Sequence, residues 1–340
     1  MATTPGRPLT AGRAPGRCCH RCYDPHVSGQ LLAWVMVGGG IALLGAGASW
    51  LVDGASRLAL RLGVRPMVVG LTVVGFGTSM PEFSVSVLAA GRGSGGLSLG
   101  NAVGSNVMNL LLVLGVAALL RPIFVVGSRR ALVRDLSFGL LPAVILVPAA
   151  WNGAIGRPTA LVLLVVFAAF ILTTIRQARK DPAERTVVHG HPLRHLGVTV
   201  VGIAVLVIGA EMMVRGGVEL ATRFGVAEAT IGLTLVAFGT SLPELATSVA
   251  AALKGESEIS VGNVLGSNVF NLGMIVGTAF LLRPGPVPSF VIRQDIPFLV
   301  LATVLTTTIV LRDAKISRVE ATVMLTAFAA YVAFVLARGG

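Results

Sequence analysis

Two glutamates, Glu82 and Glu244, each follow a proline inside a long apolar stretch of the chain. An ionised carboxyl group in such a setting costs about 3 kcal/mol unless it is paired or hydrated. The surrounding motifs, Gly77-Thr78-Ser79-Met80-Pro81-Glu82 and Gly239-Thr240-Ser241-Leu242-Pro243-Glu244, contain no Lys or Arg to pair with it. Thr78 and Ser79 precede Glu82 by four and three residues, as Thr240 and Ser241 precede Glu244, so on a helix each trio shares a face. Pro81 and Pro243 remove an amide donor and free carbonyls one turn back, near Gly77 and Ala237–Gly239. Gly75, Gly77 and Gly239 ease the bend. Further on, Ser105 and Asn109 are four apart, and so are Ser267 and Asn271. Gathered together, these residues make an oxygen-only donor set with two negative charges. The absence of His and Cys from it disfavours zinc and copper. Ca²⁺ takes six to eight oxygens from carboxylates, carbonyls and amides. One Ca²⁺ or two Na⁺ would neutralise both glutamates, so one cage can serve either ion but not both fully.

Each of these residues also has a plainer reading. A buried carboxylate can tie helices together, and a proline can simply kink one. Ser and Thr hydroxyls commonly bond back to their own helix carbonyls. Asn101, Asn263, Asn106 and Asn268 are open to a role as caps or helix ties.

The two motifs belong to a longer repeat. Residues 70–122 align with 232–284 at a constant offset of 162, and 30 of the 53 positions are identical without a gap. Gly100-Asn101 and Gly104-Ser105-Asn106-Val107-Met108-Asn109 match Gly262-Asn263 and Gly266-Ser267-Asn268-Val269-Phe270-Asn271. Both copies end in Leu-Arg-Pro, at Arg121-Pro122 and Arg283-Pro284.

The elements that must position these residues follow from composition. The chain has 340 residues, 54% hydrophobic and only 12% charged, with a mean hydropathy of +0.84. A soluble chain so poor in charge could not cover its surface, and disorder or a coiled coil is excluded likewise. Apolar spans of helical length fall at about 31–52, 66–91, 97–120, 132–151 and 158–176, then 196–214, 228–253, 259–282, 291–311 and 317–337. The expected fold is an all-α polytopic membrane protein with ten transmembrane helices. Five spans per half is an odd number, so the second copy enters from the opposite side. This predicts two inverted five-helix repeats with discontinuous helices at the ion site. The expected segments are a flexible basic tail (1–29), a first repeat (30–176), a short cytoplasmic loop (177–194) and a second repeat (195–340).

The net charge of +12 comes from basic residues scattered between spans, which suits an anionic bilayer surface and not nucleic acid. Sixteen of the 27 Lys and Arg fall on one side, including Arg176, Arg179, Lys180, Arg185 and Arg194. That side is expected to be cytoplasmic, with both termini outside. Cys18, Cys19, His20, Cys22 and His26 make only a weak zinc pattern, because the usual second ligand pair is missing. His189, His191 and His195 read as solvated loop residues. Asp135 beside Arg134, and Asp295 near Arg293, read as interfacial charge pairs. Asp53 and Glu211 read as snorkelling to water.

The two pairs of motifs resemble the α-repeats of the Ca²⁺/cation antiporter superfamily, and most closely the small prokaryotic sodium/calcium exchangers. The repeats cover about a third of the chain. The resemblance implies antiport of Ca²⁺ against Na⁺ in the plasma (inner) membrane, with both ions and the lipid bilayer as partners. No cofactor, no enzymatic activity and a monomer are expected. It implies Glu82 and Glu244 as ligands shared by the two ions. Thr78, Ser79, Thr240, Ser241, Ser105 and Ser267 would supply oxygens, Gly75 and Ala237 main-chain carbonyls, and Asn109 and Asn271 would complete the cage. The first and sixth spans would slide past the site bundle to alternate access. Some family members carry Asp where this chain has Asn271, which weakens a reading with potassium co-transport. The rival on the same scaffold is Ca²⁺/H⁺ antiport, but the paired Thr-Ser motifs favour sodium, since protons need no such cage.

Overall fold

The computed structural model describes residues 25–125, 129–151, 153–180, 191–224 and 237–339. The Cys18–Cys22 cluster, His189 and the first part of the expected 228–253 span lie outside the described residues. Among the described residues, eight helices are long and apolar enough to cross a membrane. A bent pair, Pro66–Thr78 and Met80–Gly91, meets the same test of length and composition when taken together across its 49° break.

In chain order the helices are α1 (Pro25–Leu62), α2 (Pro66–Thr78), α3 (Met80–Gly91), α4 (Gly95–Leu120), α5 (Arg129–Trp151), α6 (Arg157–Lys180), α7 (Pro192–Arg223), α8 (Ala237–Thr240), α9 (Leu242–Lys254), α10 (Ser257–Leu282), α11 (Val291–Asp313) and α12 (Arg318–Gly339). Their lengths match the apolar runs, with three differences. Helix α1 begins at Pro25, inside the stretch expected to be tail, and runs for 38 residues. That is about 57 Å, well beyond a hydrocarbon core of about 30 Å. Helices α6 and α7 extend into the stretch 177–194, which shortens the loop between them. His195 therefore sits on α7 and is 5% exposed, not a solvated loop residue. His191, just ahead of α7, accepts a cap bond from the Leu193 amide.

Helices α1 and α7 are the two longest, and they pack antiparallel along a glycine seam. Gly40, Gly47 and Gly54 recur every seven residues on α1, and Gly202, Gly209 and Gly216 do so on α7. A seven-residue spacing keeps such positions on one face over several turns. A Cβ on Gly40 would lie 2.7 Å from the Gly209 carbonyl, and one on Gly202 would lie 2.5 Å from the Leu51 amide. The helices thus touch backbone to backbone. Around them lies a small core that includes Leu44, Leu51, Val52, Val74 and Leu206. A larger core is built from α4, α5, α6, α10, α11 and α12, centred on residues such as Leu110, Leu114, Phe170, Phe280 and Ile296.

Contacts between the two halves come in reciprocal pairs. Strand β1 (Ile123–Phe124) pairs with β4 (Lys315–Ile316), and β2 (Ala154–Ile155) pairs with β3 (Gly285–Pro286), both antiparallel. The Arg121 guanidinium donates to the Leu253 carbonyl at the end of α9, and Arg283 donates to the Gly91 carbonyl at the end of α3. Beyond those helix ends, Gly93 and Gly255 adopt φ of +87° and +84°, a left-handed conformation that favours glycine. A Cβ on either would press on the arginine from the other half at 3.2 Å.

Candidate functional site

Both breaks fall on a serine of the repeat motif. Ser79 has φ −85° and ψ 8°, and Ser241 has φ −95° and ψ 8°, values between helix and strand where many active-site residues sit. The following proline occupies the second position of α3 or α9, where its missing N–H removes no helical bond. Glu82 and Glu244 then stand in the first turns of α3 and α9. The positive end of each helix dipole offsets part of the cost of burying a carboxylate there.

Both glutamates are fully buried. Their hydroxyl partners are exchanged between halves. Ser241 Oγ donates to Glu82 Oε1 at 3.0 Å, and Ser79 Oγ donates to Glu244 Oε1 at 2.9 Å. Ser105 Oγ lies 3.2 Å from Ser241 Oγ. Ser267 Oγ lies 3.4 Å from Glu244 Oε1, 3.3 Å from the Gly75 carbonyl and 3.4 Å from Thr78 Oγ1. Thr78 Oγ1 also lies 3.1 Å from the Val74 carbonyl, the back-bonding that a helical threonine commonly makes, and 3.0 Å from Asn263 Oδ1. A close backbone approach lets α2 reach α10: a Cβ on Gly75 would meet the Ser267 amide at 2.9 Å, and one on Gly266 would collide with the Leu71 carbonyl.

The site residues Thr78, Ser79, Glu82, Ser105, Asn109, Thr240, Ser241, Glu244, Ser267 and Asn271 are all buried, and Gly75 lies among them on α2. Ala237 is the first residue of α8, one turn ahead of Ser241. Four buried oxygens of this group have no hydrogen-bond donor: Glu82 Oε2, Glu244 Oε2, Asn109 Oδ1 and Asn271 Oδ1. Unpartnered buried acceptors are costly. A cluster with four of them, two on carboxylates, is chemically suited to a hard cation. Among the described residues neither glutamate forms an ion pair with Lys or Arg.

Other readings sort as follows. Asn101 and Asn263 are ties: each donates at 3.0 Å to a serine one helix back, Ser86 and Ser248. Asp135 pairs with Arg134 as expected. Asp295 pairs with Arg338 of α12 and not with Arg293, because α12 brings its last turn against the start of α11. Asp53 and Glu211 are about half exposed, yet each holds a partner, Lys254 and Arg215.

Two features escaped the sequence reading. Asn109 opens a π-helical turn (Asn109–Val113), and Asn271 lies in another (Phe270–Ile275). Such turns cluster at functional sites, but residue types alone do not announce them. The glycine heptads of α1 and α7 were open to a search by spacing.

Fold and site together define a multi-pass membrane protein with a buried, oxygen-lined cluster drawn from both copies of a sequence repeat. The family model described as sodium/calcium exchanger protein matches residues 32–176 and 194–337, and the chain belongs to that family of cation antiporters. It is 34% identical to a putative antiporter, CaxA, of Alkalimonas amylolytica, over 89% of this chain and 98% of the relative. It is 37% identical to the inner membrane protein YrbG of Escherichia coli, over 81% and 88%. It is 29% identical to the sodium/calcium exchanger MaX1 of Methanosarcina acetivorans, over 86% and 95%. Among solved structures it resembles the sodium-calcium exchanger NCX_Mj soaked with Na⁺ and Sr²⁺, with a TM-score of 0.79, 30% identity, and coverage of 89% and 98%.

Proposed function

We propose that this protein exchanges Ca²⁺ for Na⁺ across the inner membrane, as a monomer, by alternating access. In this reading the two halves are inverted five-span repeats, ten helices in all, and the basic side bearing the loop between α6 and α7 faces the cytoplasm. Glu82 and Glu244 are ligands that both ions share. Ser79, Ser241, Ser105, Ser267, Thr78 and Thr240 line the cage with hydroxyls, Gly75 and Ala237 contribute carbonyls, and Asn109 and Asn271 contribute amide oxygens. The observation that carries this is the exchanged serine–glutamate pairing with four unpartnered oxygens around it. Ca²⁺ and Na⁺ compete for the same two charges, so loading one expels the other. The paired α1–α7 helices slide past the bundle to open the cage to one side and then the other.

Calcium flux into everted vesicles tests this. Uptake is expected to follow an imposed Na⁺ gradient and to ignore a pH gradient. Uptake driven by the pH gradient alone would make the chain a Ca²⁺/H⁺ antiporter instead.

A further inference from the structure

Four buried asparagines meet where the two halves join: Asn106 and Asn109 on α4, and Asn268 and Asn271 on α10. Main-chain carbonyls can only accept hydrogen bonds, and they set the polarity of the cluster. The Asn268 carbonyl takes Asn106 Nδ2 at 3.0 Å, and the Asn106 carbonyl takes Asn268 Nδ2 at 3.4 Å. A side-chain amide that turns its NH₂ to a carbonyl presents its oxygen on the other side. Asn106 Oδ1 accordingly accepts from Asn271 Nδ2 at 2.9 Å, and Asn268 Oδ1 accepts from Asn109 Nδ2 at 3.1 Å. The NH₂ groups of Asn109 and Asn271 each have a partner, and their buried Oδ1 atoms are the ones left without one.

We infer that Asn106 and Asn268 are positioning residues: they fix the amide orientation of Asn271 and Asn109, so that oxygen and not NH₂ faces the cation. The two ends of an amide have nearly the same shape, so only hydrogen bonding decides which way it points. A flipped amide would direct a donor at the ion and turn attraction into repulsion. This inference rests on the reading of Asn109 and Asn271 as cation ligands.

A carboxylate at position 271 would need no such orientation, because both of its oxygens accept. That supplies the test. Ca²⁺ is titrated by calorimetry into the full-length purified protein, into Asn106→Leu, into Asn271→Asp and into the double variant. Asn106→Leu is expected to weaken Ca²⁺ binding about tenfold in the natural background and less than about threefold in the Asn271→Asp background. Equal losses in both backgrounds would show that Asn106 only holds helices together and would overturn the proposal. The mirror set, Asn268→Leu with Asn109→Asp, gives the same comparison if Asn106→Leu does not fold. Infrared spectra of the unmutated protein with side-chain ¹³C-labelled asparagine need no variant. Ca²⁺ must shift amide carbonyl bands there, and their indifference to Ca²⁺ would also overturn it. Asn271→Ala keeps the two readings apart. If it leaves Ca²⁺ affinity unchanged, the ligand reading falls and this inference with it. If it weakens binding while the Asn106→Leu losses are equal, only the positioning role falls.

Discussion

Where α4 meets α10, the contacts are amides with assigned partners, such as Asn106 with the Asn268 carbonyl and Asn109 with Asn268 Oδ1. Where α1 meets α7, they are bare glycine backbone, such as Gly40 against Gly209. The α1–α7 pair is fastened to the bundle by polar contacts at one end, where Asp53, Ser49 and Ser56 meet Lys254 and Glu256. Directional bonds fix distances, which an ion cage requires. Backbone-on-backbone glycine contact holds two helices close along their length, which suits the proposal that they move as one body. The two regions solve different problems with different residues.

Four predictions test this contrast. The largest effect belongs to the charges. Glu82→Gln or Glu244→Gln is expected to lower Na⁺-driven Ca²⁺ uptake by at least about 100-fold, or ~3 kcal/mol at 1.4 kcal/mol per decade, with folded protein still present by size-exclusion chromatography. Residual uptake near the parental rate would remove the glutamates from the cage. Next, Gly202→Ala forces a methyl group onto the Leu51 amide. Overpacking of this kind costs about 1–3 kcal/mol, so the thermal midpoint should fall and transport should slow about tenfold, while calorimetric Ca²⁺ affinity stays within about twofold. A comparable loss of affinity would show that seam and site are not separable. Third, Ser79→Ala and Ser241→Ala each remove one bond to a carboxylate, worth about 1.5–3 kcal/mol. The exchanged pairing predicts equal losses of Ca²⁺ affinity for the two variants, and a clear inequality would mean that the halves are not equivalent at the ion. The smallest effect is expected of Asp53→Asn. Its pair with Lys254 is partly exposed, and such pairs contribute about 0–1 kcal/mol, so uptake should change less than about threefold.

The helical plan was legible because an apolar run of membrane length leaves few alternatives, and α4, α10 and α11 begin and end within a few residues of their expected bounds. The two buried glutamates stood out as candidates because Glu-after-Pro in an apolar span is costly and occurs twice. The partnership between halves was not legible. Nothing in Gly-Thr-Ser-X-Pro-Glu says that Ser79 serves Glu244 and not its own neighbour Glu82, because that depends on how the two breaks meet in space. Thr78 shows the limit in the other direction: part of its hydroxyl bonding is the local bond to the Val74 carbonyl that any helical threonine can make. Asp295 was assigned to a neighbour in sequence and found its partner 43 residues away on α12. Local spacing reveals which groups share a face, but tertiary packing chooses among the candidates.

The crossing over of serine and glutamate has a consequence for how such a chain could arise. A polypeptide with a single copy of the motif would own an acid whose hydroxyl partner it lacked, and an arginine whose capping target it lacked. Two such molecules would have to dock for either to be complete. Fusion of the copies makes that encounter intramolecular, sets the stoichiometry at one to one, and leaves each half free to drift, as Gly75 and Ala237 already have at matching positions.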